Sequence, residues 1–293
     1  MFAEACSRVS DFTKPLVIST RHQDGSVSSE VGTFIVLNRE GWVMTAGHMY
    51  NSFSKFQSDV NKAKEIEEIN NGRMARPGSP SSMVKLDPKL ITNHSFWWGW
   101  DGVQVKTTYV NNQIDIAFGK LEPFNPDWVR SYPVLRDPAT LRPGTSVCRS
   151  GYSFMDIKST WNDEKKSFQI PRIPERDVIF FNEGMHTRTV SKGPSKDGGF
   201  AIRYVETSTP GLRGQSGGPI FDTEGRVYAM QVKTAHLPLG FQPTVEYEGR
   251  TVVENQFLNV GLGVHVGTIR DILDKHGVRY TAEGDDSGYR IVG

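Results

Sequence analysis

About ten short runs with strand character, separated by turn signals, dominate this sequence, and that punctuation constrains the fold more than any other feature. The first three are KPLVIST (14–20), VGTFIVLN (31–38) and GWVMTA (41–46). The turns between them, HQDGS and NREG, carry Asp or Asn and Gly where hairpins need residues that tolerate positive φ. VQVKTTYV (103–110), DIAFGKL (115–121), TSVCRSGY (145–152), DVIFFNEGM (177–185), GFAIRYVET (199–207), RVYAMQVKT (226–234) and NVGLGVHV (259–266) follow. Many short strands with few helices predict an all-β barrel or sandwich.

Two segments have helical periodicity instead. Phe53, Phe56, Val60, Ala63, Ile66 and Ile69 recur at spacings of three and four, which predicts a helix over 53–70. A second is predicted over 267–276, with Ile269, Ile272 and Leu273 on one face and Gly277 as its stop. Residues 70–83 read as a mobile loop. DPATLRPG (137–144) reads as a connector, because Pro and Gly cluster there between two comparable sets of strands. The expected organisation is an N-terminal unit over 1–136 with an insertion at 51–102, the connector, a C-terminal unit over 145–277, and a tail over 278–293.

The 293 residues are 37% hydrophobic and 23% charged, the balance of a soluble globular chain. With 34 basic and 33 acidic residues the net charge is +1, and no basic run appears, so neither nucleic acid nor an acidic membrane is an expected partner. The first twenty residues lack a basic segment followed by an apolar core, and no run approaches the ~18 apolar residues of a membrane span. Two cysteines, Cys6 and Cys148, fit a reducing cytoplasm better than a disulfide-rich exterior, and Cys148 is expected in the core of the second unit. Neither C-x-x-C, H-E-x-x-H nor a phosphate-binding loop occurs, so no metal or organic cofactor is expected.

The stretch GLRGQSGGPIF (211–221) places a serine among four glycines ahead of an apolar run. A glycine turn would suffice to explain it. A serine hydroxyl becomes a nucleophile only beside a base, and the base needs an orienting group. Two stretches offer these. His48 in GWVMTAGHMY follows an apolar strand that ends in small residues, and Asp115 in NQIDIAFGKL opens an apolar run where a carboxylate would need a donor.

Together the three stretches resemble the chymotrypsin-like (trypsin-like) serine peptidases, of the intracellular bacterial type without a PDZ domain. TAGH matches that family's T/S-A-x-H motif, DIA its D-I/L-A motif and GQSGGP its G-x-S-G-G-P motif, in the family's order. The resemblance implies two antiparallel six-stranded β-barrels with the active site between them, an inserted helix after the histidine, and a C-terminal helix. It implies Ser216 as nucleophile, His48 as general base and Asp115 as its orienting partner, with the backbone N–H groups of Gly214 and Ser216 forming the oxyanion hole. The pocket for the substrate side chain would be lined by Thr209, Pro210, Gly211, Leu212 and Arg213 and by Met230, Gln231, Val232 and Lys233.

Two departures from the family stand out. Secreted zymogens carry Asp just before the serine to pair with a newly cut N-terminus, whereas this chain has Gln215, and its RIVG (290–293) lies at the wrong end. Tryptic enzymes carry Asp six residues before the serine, whereas this chain has Pro210; glutamyl members carry His where this chain has Gln231. Arg213 and Lys233 point to acidic or polar substrate residues, Met230 and Val232 to apolar ones, and the sequence leaves that choice open. The expected activity is a regulated endopeptidase of narrow specificity, with a protein or peptide substrate and a regulatory protein partner. The alternative is a partner-gated or inactive binding module on the same fold. The aromatic run FWWGW (96–100) is expected to be a local packing core under a long loop rather than a partner patch.

Overall fold

The structure is a computed structural model that describes residues 2–74, 83–173, 178–241, 243–253 and 256–285. Six strands build the first sheet: β1 (Thr13–His22), β2 (Val27–Val36), β3 (Trp42–Ala46), β4 (Ile91–Trp98), β5 (Gln104–Asn111) and β6 (Ile116–Glu122). Their order is β4-β1-β2-β3-β6-β5, antiparallel throughout, so the sheet curls into a half-barrel. β1 lies between β2 and β4 and is buried from Thr13 to Thr20, which is why its sequence reads as an unbroken run rather than an alternation.

The second sheet uses β7 (Val134–Leu135), β8 (Ser146–Gly151), β11 (Phe180–Pro194), β12 (Ala201–Thr207), β13 (Pro219–Phe221), β14 (Val227–Pro238), β17 (Phe257–His265) and β18 (Thr281–Ala282). Between them in the chain lie two hairpins, β9 (Thr160–Asn162) with β10 (Ser167–Gln169), and β15 (Thr244–Tyr247) with β16 (Arg250–Val253). The order β13-β8-β11-β12-β17-β14 closes on itself, because β14 also pairs with β13. That closure makes the expected six-stranded antiparallel barrel, to which β7 and β18 add two short parallel pairings. The α-helices are α1 (Ala3–Phe12), α2 (Asn51–Met74) and α3 (Val266–Lys275).

Several elements differ from the sequence reading. α1 was not legible: it buries only Ala5, Val9 and Phe12, too few positions for a clear apolar stripe. It runs from the start of β1 onto the second barrel, where Phe2 meets Phe221 edge-on at 6.0 Å and Arg8 Nη1 donates to the Glu224 carbonyl at 2.7 Å. Ile91–Trp98 lies within the stretch expected to be an insertion, yet it is the edge strand of the first sheet. The FWWGW residues are packed as expected. Tyr50 and Phe53 lie 4.9 and 6.1 Å from Phe96, and Trp100 stacks on Trp128 at 5.2 Å. Phe53 and Phe56 are what α2 presents to His94 and Phe96 on β4. The expected loop at 70–83 is shortened by α2, and its residues 75–82, like RIVG at 290–293, lie outside the described residues.

Candidate active site

β3 ends at Ala46 and the chain turns through a 3-10 segment, Gly47–Tyr50, that carries His48. Asp115 sits at the turn from β5 into β6 with a left-handed φ of 62°, a conformation Asp tolerates better than most residues. The two are joined tightly. Asp115 Oδ2 lies 2.8 Å from His48 Nδ1, and Oδ1 accepts the His48 backbone N–H at 2.7 Å. The carboxylate can accept only from a protonated Nδ1, so this contact leaves Nε2 as the imidazole's acceptor. The His48 side chain is 38% exposed, which lets that nitrogen reach a substrate.

Ser216 stands in the turn between β12 and β13, between Gln215 and Gly217. Its carbonyl accepts from the Thr33 N–H at 2.9 Å, which fastens the turn to β2 of the first sheet. Gly217, at φ 88°, presses against the end of β3: a Cβ there would lie 2.0 Å from the Thr33 carbonyl oxygen and 3.1 Å from the Ala46 nitrogen. Ser216 is therefore held beside the residues that lead into His48, although no hydrogen bond joins its hydroxyl to the His48 ring among the described residues.

The remaining turn is fixed from behind. Gly214, at φ 94°, gives its carbonyl to Thr33 Oγ1 at 2.6 Å and to the Tyr152 N–H at 3.2 Å. The Gln215 carbonyl accepts from the Gly218 N–H at 2.9 Å, so the Ser216 N–H of that same peptide faces the opposite way. Gln215 itself is fully buried. Its Oε1 accepts from the Leu212 N–H at 2.9 Å and its Nε2 donates to Asn182 Oδ1 at 2.7 Å. Asn182, on β11, also donates to the Pro210 carbonyl at 3.2 Å. One amide thus ties the serine turn to the stretch six residues upstream. Sequence reasoning missed Asn182; its signal was a polar residue in the otherwise apolar run VIFFN.

The expected pocket residues separate into groups. Gly211 and Gln231 are in contact, since a Cβ on Gly211 would lie 2.1 Å from Gln231 Nε2. Thr234 Oγ1 donates to the Gly211 carbonyl at 2.6 Å, bridging the two walls. Thr209 and Pro210 are held by their carbonyls, from Arg149 Nη1 at 2.9 Å and from Asn182. Leu212 is half-buried and lends its backbone to Gln215. Met230 and Val232 belong to the hydrophobic core, at 0% and 2% exposure. Lys233 lies with its ammonium over the Tyr204 ring at 5.5 Å. Arg213 lines a cavity of about 250 Å³ together with Glu30, Tyr152, Phe154, Asp156 and Gly214.

Other histidines are structural in position. His265 Nδ1 accepts the Gly267 N–H at 3.0 Å as the N-cap of α3, and burial, with Arg203 and His186 adding to it, pushes its pKa down to about 4. His94 lies in the aromatic layer under α2, and burial pushes it down to about 4 as well. Among the described residues no group of three His, Cys, Asp or Glu side chains could hold a metal ion. No helix is long and apolar enough to cross a membrane among the described residues.

A curled half-barrel beside a closed barrel, with an Asp–His pair and a serine in a glycine-bounded turn, matches the serine-peptidase class. The family model described as a trypsin-like peptidase domain matches residues 32–230, so the chain belongs to that family. Among solved structures it is similar to the Rv3671c protease from M. tuberculosis in its active form, at 12% identity and a TM-score of 0.49, covering 93% of this chain and 84% of that one. It is also similar to the HtrA-type protease AlgW with tripeptide, at 12% identity and a TM-score of 0.46. That match covers 95% of this chain but only 63% of AlgW, so this chain spans less than two thirds of that relative. No curated protein matches the sequence.

Proposed function

We propose that the chain is a serine endopeptidase that cleaves peptide bonds through Ser216, His48 and Asp115. Ser216 Oγ attacks the scissile carbonyl while His48 Nε2 takes its proton. The tetrahedral oxyanion is held by the N–H groups of Gly214 and Ser216, and collapse expels the amine with the proton that His48 returns. Water, deprotonated by His48, then hydrolyses the acyl-enzyme and frees Ser216. Asp115 holds the Nδ1–H tautomer and stabilises the imidazolium as it forms. The single observation that carries this reading is the double contact of Asp115 with His48, through the ring at 2.8 Å and the backbone at 2.7 Å, beside the Ser216 turn.

Two further features belong to the proposal. The serine turn needs no newly cut N-terminus, because Asn182 and the Leu212 N–H occupy the hydrogen-bonding groups of Gln215. Activity without N-terminal trimming follows. A reducing intracellular compartment, a protein substrate and a regulatory protein partner complete the reading; the two free thiols, Cys6 and Cys148, support the first. An alkyl fluorophosphonate probe tests the chemistry. Labelling of the wild type that disappears in Ser216→Ala is expected; an unlabelled wild type would leave a protease-fold binding module.

A further inference from the structure

A buried cation that no carboxylate of the described residues neutralises touches the expected pocket stretch at Thr209. Arg149, on β8, is 2% exposed and heads the largest fully buried side chains. Its Nη1 donates to the Thr209 carbonyl at 2.9 Å and its Nη2 to Thr207 Oγ1, while Nε has no acceptor. These acceptors are neutral, and among the described residues no Asp or Glu forms an ion pair with it. Burial pushes its pKa down to about 10, so it remains a cation at neutral pH. A guanidinium stripped of water and given only neutral acceptors is costly to keep, and evolution of a stable core would favour an apolar residue there.

Its surroundings include residues of the expected pocket. Thr209 begins the stretch that leads to Ser216, and Gly261 pairs with Thr234 across β14 and β17. A Cβ at Gly261 would lie 2.6 Å from Arg149 Nη2, so only glycine leaves room for the guanidinium. Thr234 in turn bridges to Gly211. Two more buried polar atoms without partners belong to residues of the expected pocket, Thr209 Oγ1 and Gln231 Oε1. Such atoms are costly to bury and a polar ligand would satisfy them.

We propose that Arg149 sets the specificity of this pocket and selects a substrate residue with a carboxylate side chain, Glu or Asp, on the acyl side of the scissile bond. This rests on the serine endopeptidase reading above. The substrate carboxylate supplies the missing counter-charge through charge-assisted hydrogen bonds, and the Thr209 hydroxyl donates to its second oxygen. Entry requires the Thr234–Gly211 bridge to open. A Lys or Arg side chain would meet a like charge, and an apolar one would leave the cation uncompensated. Lys233 and Arg213 are both exposed, so neither is a buried cation left without a counter-charge.

The test is a peptide library varied at that residue, run on the full chain beside the alkyl fluorophosphonate, which carries no side chain for the pocket. Cleavage after Glu or Asp is expected to exceed cleavage after Gln or Asn by roughly 10- to 100-fold in kcat/KM, mostly in KM, as charged hydrogen bonds allow. Arg149→Met brings the Glu-to-Gln ratio towards 1, and Arg149→Lys restores part of it, which a merely structural arginine would not do. The wild-type ratio by itself can overturn the proposal, so a variant that fails to fold leaves that arm of the test standing. A labelled enzyme that cleaves after neutral or basic residues overturns the role of Arg149 and keeps the endopeptidase. An unlabelled one overturns both.

Discussion

Gln215 and Asn182 are hydrogen-bonded at 2.7 Å, and the bond joins the residue before the serine to the start of β11. Two neutral amides stand where a zymogen of the family would pair a carboxylate with a cut N-terminus. Such a pair is formed as soon as the barrel folds, and it does not titrate. Asn182→Ala would leave Gln215 Nε2 only the long contact to the Phe180 carbonyl at 3.5 Å and would release the Pro210 carbonyl, at a cost of about 1–3 kcal/mol for a buried group that loses its partner. The expected result is a fluorophosphonate labelling rate lower by about 10-fold or more, with a smaller fall in thermal stability. Labelling kinetics and a thermal melt of the same sample separate the two.

Asp115→Asn is expected to lower kcat by about 10⁴-fold while leaving the fold intact. Asn keeps one oxygen for the His48 N–H but turns an NH2 group towards the ring, favouring the wrong tautomer. Single-turnover acylation of Asp115→Asn and a far-ultraviolet spectrum check both halves of that statement.

Gly217 and Gly25 form a matched pair for testing close approach. Both have positive φ, 88° and 84°, but a Cβ at Gly217 would meet the Thr33 carbonyl at 2.0 Å whereas Gly25 has nothing within 4 Å. Gly25→Ala should cost about 1–2 kcal/mol from backbone strain alone. Gly217→Ala should cost about 3 kcal/mol or more, because the strand it strikes cannot retreat. Urea unfolding of the two variants measures the difference.

Stability should fall in acid in part through His265. Its folded pKa of about 4 lies below the ~6.5 of an unfolded histidine, so between those values the unfolded chain binds the extra proton. Its contribution is complete above about pH 6.5 and declines towards pH 4 by up to about 1.4 kcal/mol per pH unit. His94 acts in the same direction. His265→Asn keeps an oxygen to cap α3 and removes the titration. Denaturant melts from pH 4.5 to 7 should therefore show a shallower slope for that variant.

The sequence by itself determined the fold class, the order of the strand sets and the three motifs, because each is a local pattern. Turn residues punctuate neighbouring runs, α2 and α3 repeat their apolar residues every three or four positions, and GQSGGP carries its glycines where backbone must bend. Only the tertiary structure decided which residues surround the serine. α1 was hidden because its short apolar face is completed by the second barrel. β4 was hidden inside a stretch rich in aromatic residues that also packs under α2. Met230 and Val232 joined the hydrophobic core and Gln231 met Gly211, contacts made by the folded barrel and not by the four-residue stretch. Asn182 and Arg149 are the plainest cases. Each is a polar residue in a strand-like run, and its partners lie 28 to 60 residues away along the chain. Hydrogen bonds between such distant groups exist only after the strands have paired, so the chemistry of this pocket belongs to the fold.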